Sequence, residues 1–289
     1  VASIKMTLYR AAQKSNVINA LISAAENGKQ VTAVLEPRAR FDEEANIYWA
    51  NELQKAGAQV IFGVPGLKVH SKLCLITRRD GRKKVRFAYI STGNFNEKTA
   101  LIYSDTSLLT ADRNITLEVN KVFDFFENNY NLPTYNRLII APHHTRKKIN
   151  RLVNNEIKNA KAGKDAWIFL KMNSLVDNDM VRRLYLASQA GVKIRLIVRG
   201  ICSIIPGVEG LSENIEAISI VDKYLEHSRV YVFCNGGEEQ YFISSADFMK
   251  RNLDYRVEVT CPIFDKNIQQ ELRDWLEIQW SDNAKARLH

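Results

Sequence analysis

Two stretches decide how this chain is read: Val69-His70-Ser71-Lys72-Leu73 and Glu226-His227-Ser228-Arg229-Val230. Each places a histidine two residues before a cation, at the start of an apolar run with strand character. Side chains at i and i+2 of a strand share a face. Each stretch therefore offers an imidazole beside a positive charge, the pair needed to attack or hold a phosphorus centre. His227 follows His70 by 157 residues in a chain of 289, so the repeat points to a duplicated half-site.

The flanks repeat too. After His70 come a strand Leu73–Thr77, a turn at Arg78-Arg79-Asp80-Gly81 and a strand Val85–Ile90, ending in Ser91-Thr92-Gly93-Asn94-Phe95. After His227 come Val230–Phe233, a turn at Cys234-Asn235-Gly236-Gly237 and Gln240–Ile243, ending in Ser244-Ser245-Ala246-Asp247-Phe248. Hairpin length absorbs the small difference in spacing. Upstream, Asn16–Glu26 and Asp179–Gln189 have helical periodicity and end near Gly28 and Gly191, a helix stop signal. Strands Val31–Leu35 and Val192–Val198 follow, leading into Arg38 and Arg40 in one half and Arg199 in the other. The order helix, strand, arginine, strand, histidine pair, hairpin occurs twice. It predicts an α/β fold of two homologous domains, residues 1–135 and 136–289, facing each other across a shared site.

The bulk properties fit. A chain of 289 residues that is 46% hydrophobic can bury two ordinary cores. It has no apolar run long enough for a transmembrane helix. Ile4-Lys5-Met6-Thr7-Leu8-Tyr9-Arg10 enters directly as a strand with no initiator methionine, which reads as a fragment cut at a domain boundary. Cys74, Cys202, Cys234 and Cys261 lack Cys-x-x-Cys spacing and read as reduced residues of a cytoplasmic protein. The net charge of +9 implies either a solvated basic surface or a polyanionic partner. No nucleic-acid or Walker-type motif accompanies it. The boundary falls near 128–142, where Asn131-Leu132-Pro133-Thr134 breaks an aromatic helix. His143-His144-Thr145-Arg146-Lys147-Lys148 then opens a new helix, either as exposed capping sequence or as a phosphate site at a helix N-terminus.

A histidine can attack a phosphoryl group and divide one transfer into two easier steps. Neighbouring cations stabilise charge on the equatorial oxygens. A second histidine can serve as general acid or hold the incoming phosphate. Lys72 and Arg229, on the faces of their histidines, are expected to contact phosphate. Asn94 and Asp247 end the following strands, and Asp247 is expected to orient an imidazole. Asp42-Glu43-Glu44 reads as a helix N-terminus, and Lys98, Arg251 and Arg256 as the wall of a basic channel.

The two-histidine layout resembles the phospholipase D superfamily, with its half-motif His-x-Lys-x4-Asp. Thr77 and Cys234 stand where the aspartates belong, and Arg229 replaces the second lysine. A closer resemblance covers essentially the whole chain: the C-terminal half of the bacterial type-1 polyphosphate kinases. It rests on Ala39-Arg40-Phe41-Asp42-Glu43-Glu44-Ala45-Asn46-Ile47, Pro65–Leu73, Ser91–Ala100 and Ser107-Leu108-Leu109-Thr110-Ala111-Asp112, then Leu196–Cys202 and Ile218–His227. The resemblance implies two tandem phospholipase D-like domains. They would transfer the terminal phosphate of ATP reversibly to polyphosphate through a phosphohistidine.

Residue by residue, the resemblance makes His70 the phosphorylated histidine and His227 the second catalytic histidine, which also contacts the nucleotide phosphates. Tyr103 matches the ATP-site tyrosine and Arg199 an arginine on ATP phosphate. Arg10 and Arg40 match the two arginines of the Mg²⁺ and phosphate site. Arginine stays protonated, so both are read as clamps on phosphate oxygens that Mg²⁺ also touches. The resemblance further implies a bacterial, cytoplasmic protein, with peripheral attachment at the inner membrane as a variant, homo-oligomeric at full length and without a nucleic-acid partner. It also implies missing domains, so this chain is expected to fold but to have little or no turnover. A phospholipase D-type phosphodiesterase or nuclease is the alternative. A silent polyanion-binding module is a third.

Overall fold

The computed structural model describes residues 1–9, 12–36 and 43–289. The first half runs β1 (Ser3–Leu8), α1 (Asn16–Glu26), β2 (Gln30–Leu35), α2 (Glu43–Lys55), β3 (Gln59–Phe62), β4 (Lys68–Val69), β5 (Lys72–Asp80) and β6 (Lys83–Ser91). It continues with α3 (Glu97–Ala100), β7 (Tyr103–Ser104), β8 (Ser107–Thr110) and α4 (Arg113–Glu127). The second half opens with β9 (Ile139–Ala141) and α5 (Thr145–Lys161), then β10 (Trp167–Met172), α6 (Asn178–Gln189), β11 (Lys193–Val198) and β12 (Ile215–Ile220). It ends with β13 (Leu225–Glu226), β14 (Val230–Phe233), β15 (Gln240–Ser244), α7 (Lys250–Asp254), β16 (Arg256–Ile263), α8 (Lys266–Trp280) and β17 (Ala286–Leu288).

The duplication is visible in strand order. Among the described residues, the first sheet runs β3-β2-β1-β5-β6-β8, and the second contains the run β12-β11-β10-β14-β15-β16. In each, a parallel pair (β1 with β2, β10 with β11) adjoins the hairpin that follows the histidine. The hairpin β5–β6 reaches further than the sequence predicts, with its turn at Gly81 in the left-handed region (φ 58°). Arg78, Arg79, Asp80, Lys83 and Lys84 extend the ladder past the core, exposed to water, so polarity there does not mark a turn. The strand β2 is followed directly by the buried Glu36, where β11 is followed by Arg199; Arg38 and Arg40 lie outside the described residues.

Capping fixes the helices. Ser15 Oγ accepts from Ile18 N at 3.2 Å, Asp112 from Ile115 N at 2.8 Å and Asp177 from Met180 N at 3.1 Å. Helices α1 and α2 cover the outer face of the first sheet through Ile18, Leu21, Trp49 and Leu53. Helices α5 and α6 cover the outer face of the second through Ile149, Leu152, Met180 and Leu184. Between the sheets lie α4 and α8, whose Val119, Phe123, Phe126, Leu272 and Leu276 share one cluster with Leu73, Ile90, Val232 and Val257. This joint core holds the halves together. Truncating the fully buried Phe123 to alanine there should cost about 3–5 kcal/mol.

The halves also exchange short strands. β4 of the first pairs in parallel with β16 of the second, Lys68 opposite Arg256 and Val69 opposite Val257. β13 of the second pairs in parallel with β7 of the first, Leu225 opposite Tyr103 and Glu226 opposite Ser104. The two junctions are related by a pseudo-twofold. His70 and Ser71 both donate their N–H to Val257 O, and His227 and Ser228 both donate to Ser104 O.

Candidate active site

That exchange delivers each histidine to a carboxylate of the opposite half. His70 Nδ1 lies 2.9 Å from the Glu258 carboxylate, and His227 Nδ1 lies 2.7 Å from Asp105 Oδ1. Glu258 is buried on β16 and also accepts from Asn252 Nδ2 at 2.7 Å and from Ser245 Oγ. Asp105 follows β7 and accepts from Thr92 Oγ1 at 2.7 Å. Gly93 makes room for it, since a Cβ there would lie 2.1 Å from Asp105 Oδ2. The sequence reading missed both acids. The signal was present: Asp105 follows Asn94, and Glu258 follows Asp247, by the same interval.

Burial, then the cations Lys72, Arg256 and Arg229, hold the His70 pKa well below its ordinary 6.5. Burial and Arg229 lower His227 to about 4 against the opposing pull of Asp105. Burial works against ionised Asp105, but the bonds from His227 and Thr92 outweigh it and bring its pKa down. Both imidazoles are thus neutral near pH 7, donating through Nδ1 and leaving Nε2 unprotonated. His227 Nε2 faces Arg229 Nη1 at 3.4 Å, consistent with an unprotonated nitrogen.

A cleft of about 440 Å³ opens between the two rings. Of the residues named from sequence, His70, His227, Tyr103, Arg199 and Arg229 line it, together with Asn94, Asp247, Arg251 and Arg256; Lys98 does not. Tyr103 packs against His227 with ring centroids 5.0 Å apart. Arg199 is held by Asn173 Oδ1, accepting from Nε at 3.0 Å and Nη2 at 2.8 Å, and by Glu226 O at 3.0 Å. Asn173 was not anticipated, although it ends a parallel strand at the carboxyl edge, where sites gather in α/β sheets. Arg10 and Arg40 lie outside the described residues.

Two expectations change. Asp247 orients a cation rather than an imidazole: Arg229 donates to it from Nε at 3.1 Å and Nη2 at 3.2 Å, and Asn173 N at 2.8 Å. Arg229, immediately before β14, intercepts it. Lys72 does not line the cleft. It is 2% exposed, its ammonium donates to His70 O at 2.5 Å, and it lies 5.5 Å from the centre of the Tyr9 ring, which also abuts His70. Burial lowers its pKa to about 7. Thr77 and Cys234, where the superfamily motif has aspartates, are buried and do not line the cleft.

Two α/β domains in tandem, each supplying one histidine to a common cleft, define the phospholipase D-like class of fold. Phosphatidylserine synthase from Haemophilus influenzae shares the architecture over the whole chain and 82% of its own (TM-score 0.66, 8% identity). Within that class the chain belongs to the polyphosphate kinase family. Residues 1–132 match the family described as polyphosphate kinase C-terminal domain 1, and residues 138–288 match C-terminal domain 2. Polyphosphate kinase of Salmonella typhimurium is 54% identical over 287 residues, 99% of this chain and 42% of the relative. The crystal structure of polyphosphate kinase from Porphyromonas gingivalis matches all of this chain and 44% of its own with a TM-score of 0.92 at 44% identity. The chain thus spans less than half the length of the relatives it matches.

Proposed function

We propose that this chain is the catalytic half of a polyphosphate kinase, moving the terminal phosphate of ATP reversibly onto polyphosphate through phospho-His70. The observation that carries this reading is the pair of imidazoles, each held through Nδ1 by an acid of the other half, facing one arginine-rich cleft. His70 Nε2 attacks the terminal phosphorus, the bond from phosphorus to the bridging oxygen breaks, and ADP leaves as an anion. Arg199, Arg229 and Arg256 offset charge on the phosphoryl oxygens. In the second step an oxygen of the polymer terminus attacks, the N–P bond breaks and neutral His70 returns. His227, unprotonated at Nε2, accepts the proton of that oxygen when it carries one. Tyr103 offers a ring against which a nucleoside can pack.

The described residues do not fit a resident Mg²⁺. Asp105, Asp247 and Glu258 are each engaged by histidine or arginine, and no cluster of three acidic, histidine or cysteine side chains suits a metal among the described residues. Magnesium is read as part of the nucleotide substrate, which matches its preference for phosphate oxygens. The reading carries further proposals: domains 1–135 and 136–289, a bacterial cytoplasmic setting, oligomerisation at full length and little or no turnover by this chain alone. Among the described residues no helix is long and apolar enough to cross a membrane.

The test is incubation with γ-³²P-ATP and Mg²⁺, comparing the parent with His70→Ala and His227→Ala. An acid-labile, base-stable label that disappears in His70→Ala supports the mechanism. Absence of label from the parent and from a longer protein containing it, under conditions where ATP binds, would sink it and favour a phosphodiesterase.

A further inference from the structure

A second basic groove lies away from the catalytic cleft. It is a cavity of about 360 Å³ walled by Tyr135, Arg137, His144, Lys147, Lys148 and Arg151. Through Arg137 and Lys148 it continues into a neighbouring cavity of about 240 Å³. His144, Lys147, Lys148 and Arg151 follow i, i+3, i+4 and i+7 spacing, one face of α5. The other face buries Ile149, Leu152 and Val153. Arg137 approaches from the lead-in to β9 with its guanidinium 4.8 Å from the centre of the Phe264 ring. Its backbone is fixed, because the Glu118 carboxylate accepts from Asn136, Arg137 and Leu138 N–H groups at 2.7–3.2 Å.

Among the described residues, the side-chain cations of this groove make no ion pair. Arg146, in the same basic run, is bound by Asp177 and Asp254, but Arg137, Lys147, Lys148 and Arg151 have no acidic partner among the described residues. The carboxylate on the adjoining wall, Glu239, is already bound by Arg273 and Tyr241. Partial burial and the nearby Arg151 lower the Lys148 pKa, so like charges are held together here without relief.

We propose that this groove is a second binding site for the polyphosphate chain, gripping polymer away from its reacting end. The identity of the polymer rests on the kinase reading above. The four α5 positions span about 10 Å at 1.5 Å per residue, a charge density suited to a linear polymer of phosphate. Nucleic acid is disfavoured, because single strands need successive aromatic platforms, and Tyr135 is the one aromatic ring of the main cavity, packed against His144. The groove is within reach of the cleft. Ile139 on its wall pairs with Thr260, four positions along β16 from Arg256 of the cleft, or about 13 Å at 3.3 Å per residue. A long polymer could occupy both sites at once and gain avidity that a short one cannot.

The test is binding of fluorescent long-chain polyphosphate and of triphosphate to the 289-residue chain, with and without Lys147→Gln/Lys148→Gln/Arg151→Gln. The triple variant should weaken long-chain binding about tenfold and flatten its salt slope by about two to three, as expected for three lost phosphate contacts. Triphosphate binding and ³²P labelling of His70 should not change. A control losing equal charge at the other end of the helix, Lys158→Gln/Lys161→Gln/Lys164→Gln, should stay within twofold. Long-chain binding that is absent from the parent, unchanged in the triple variant, or equally weakened in the control overturns the groove. So does displacement of polyphosphate from it by single-stranded DNA at equal phosphate concentration. Groove-dependent binding with no phosphohistidine on this chain or on a longer protein containing it would leave the groove standing and remove the kinase mechanism; phosphohistidine with unchanged binding would do the reverse.

Discussion

His70 and Glu258 are 188 residues apart in sequence and 2.9 Å apart in the fold, one from each half. His227 and Asp105 repeat the relation at 2.7 Å with the halves interchanged. Neither cleft histidine is held by a carboxylate of its own half. The short parallel pairs β4–β16 and β7–β13 create this dependence, by carrying each histidine across the pseudo-twofold.

Glu258→Gln is expected to lower the rate of phosphoenzyme formation by 10²- to 10⁴-fold, on the order of a positioned acid–base contribution. Its amide can still accept one hydrogen bond but no longer fixes Nδ1 as the protonated nitrogen. Rapid-quench labelling checks the rate, and ¹⁵N spectra of the His70 ring check the tautomer. A full rate with the tautomer intact would make Glu258 a purely structural residue.

Gly93→Ala should act on His227 without touching it. The new Cβ would need to occupy space 2.1 Å from Asp105 Oδ2, so Asp105 must move off the imidazole. The expected result is at least a tenfold loss of activity, on the order of one misplaced catalytic contact. The matching position in the other half is already Ala246, so Ala246→Gly should be close to neutral for activity. Steady-state assays and a thermal melt of both variants separate displacement of Asp105 from general destabilisation.

The histidine pair, the hairpins and the doubled helix–strand order were all legible, because periodicity and turn residues are local properties. The expected helix Asn16–Glu26 has those bounds in the structure. The partners were harder to read. Asp247 looked like an imidazole partner because it ends a strand near His227, yet which side chain meets a carboxylate depends on Arg229 reaching it first. Lys72 reads as Arg229 does in sequence, but Tyr9 covers it in the fold. Asp105 and Glu258 were hidden for a topological reason. Each serves a histidine on the far half, and a sequence repeat aligns equivalent positions without showing which ones are exchanged.

The pH dependence follows from two histidines buried in neutral form. Their pKa values in the fold lie below 6.5, with His227 at about 4, so the unfolded chain binds more protons between those limits. Stability should therefore be fully present above pH 6.5 and fall as the pH drops from 6.5 towards 4. Phosphohistidine formation should persist below pH 6.5, where a free imidazole would already be protonated. Chemical denaturation from pH 4.5 to 7.5, with single-turnover labelling over the same range, checks both. An activity midpoint at 6.5 would show that the His70 environment does not suppress its protonation.

Arg229 carries an expected loss of stability as large as that at Phe123. It is buried, binds Asp247 through Nε and Nη2, and its Nη1 donates to Thr92 O of the other half at 3.3 Å and His227 O at 3.1 Å. Arg229→Met leaves the Asp247 carboxylate buried without its cation, at a cost of about 3–5 kcal/mol. Arg229→Met with Asp247→Asn removes both charges and should recover much of that loss while leaving activity abolished, since the cleft still lacks its arginine. Arg229→Lys keeps the charge but cannot reproduce the two-pronged geometry, so it should fall between the parent and Arg229→Met in stability. Urea unfolding of the four proteins compares these losses. If the double variant is no more stable than Arg229→Met, the cost lies in packing at the junction between the halves, not in the stranded carboxylate.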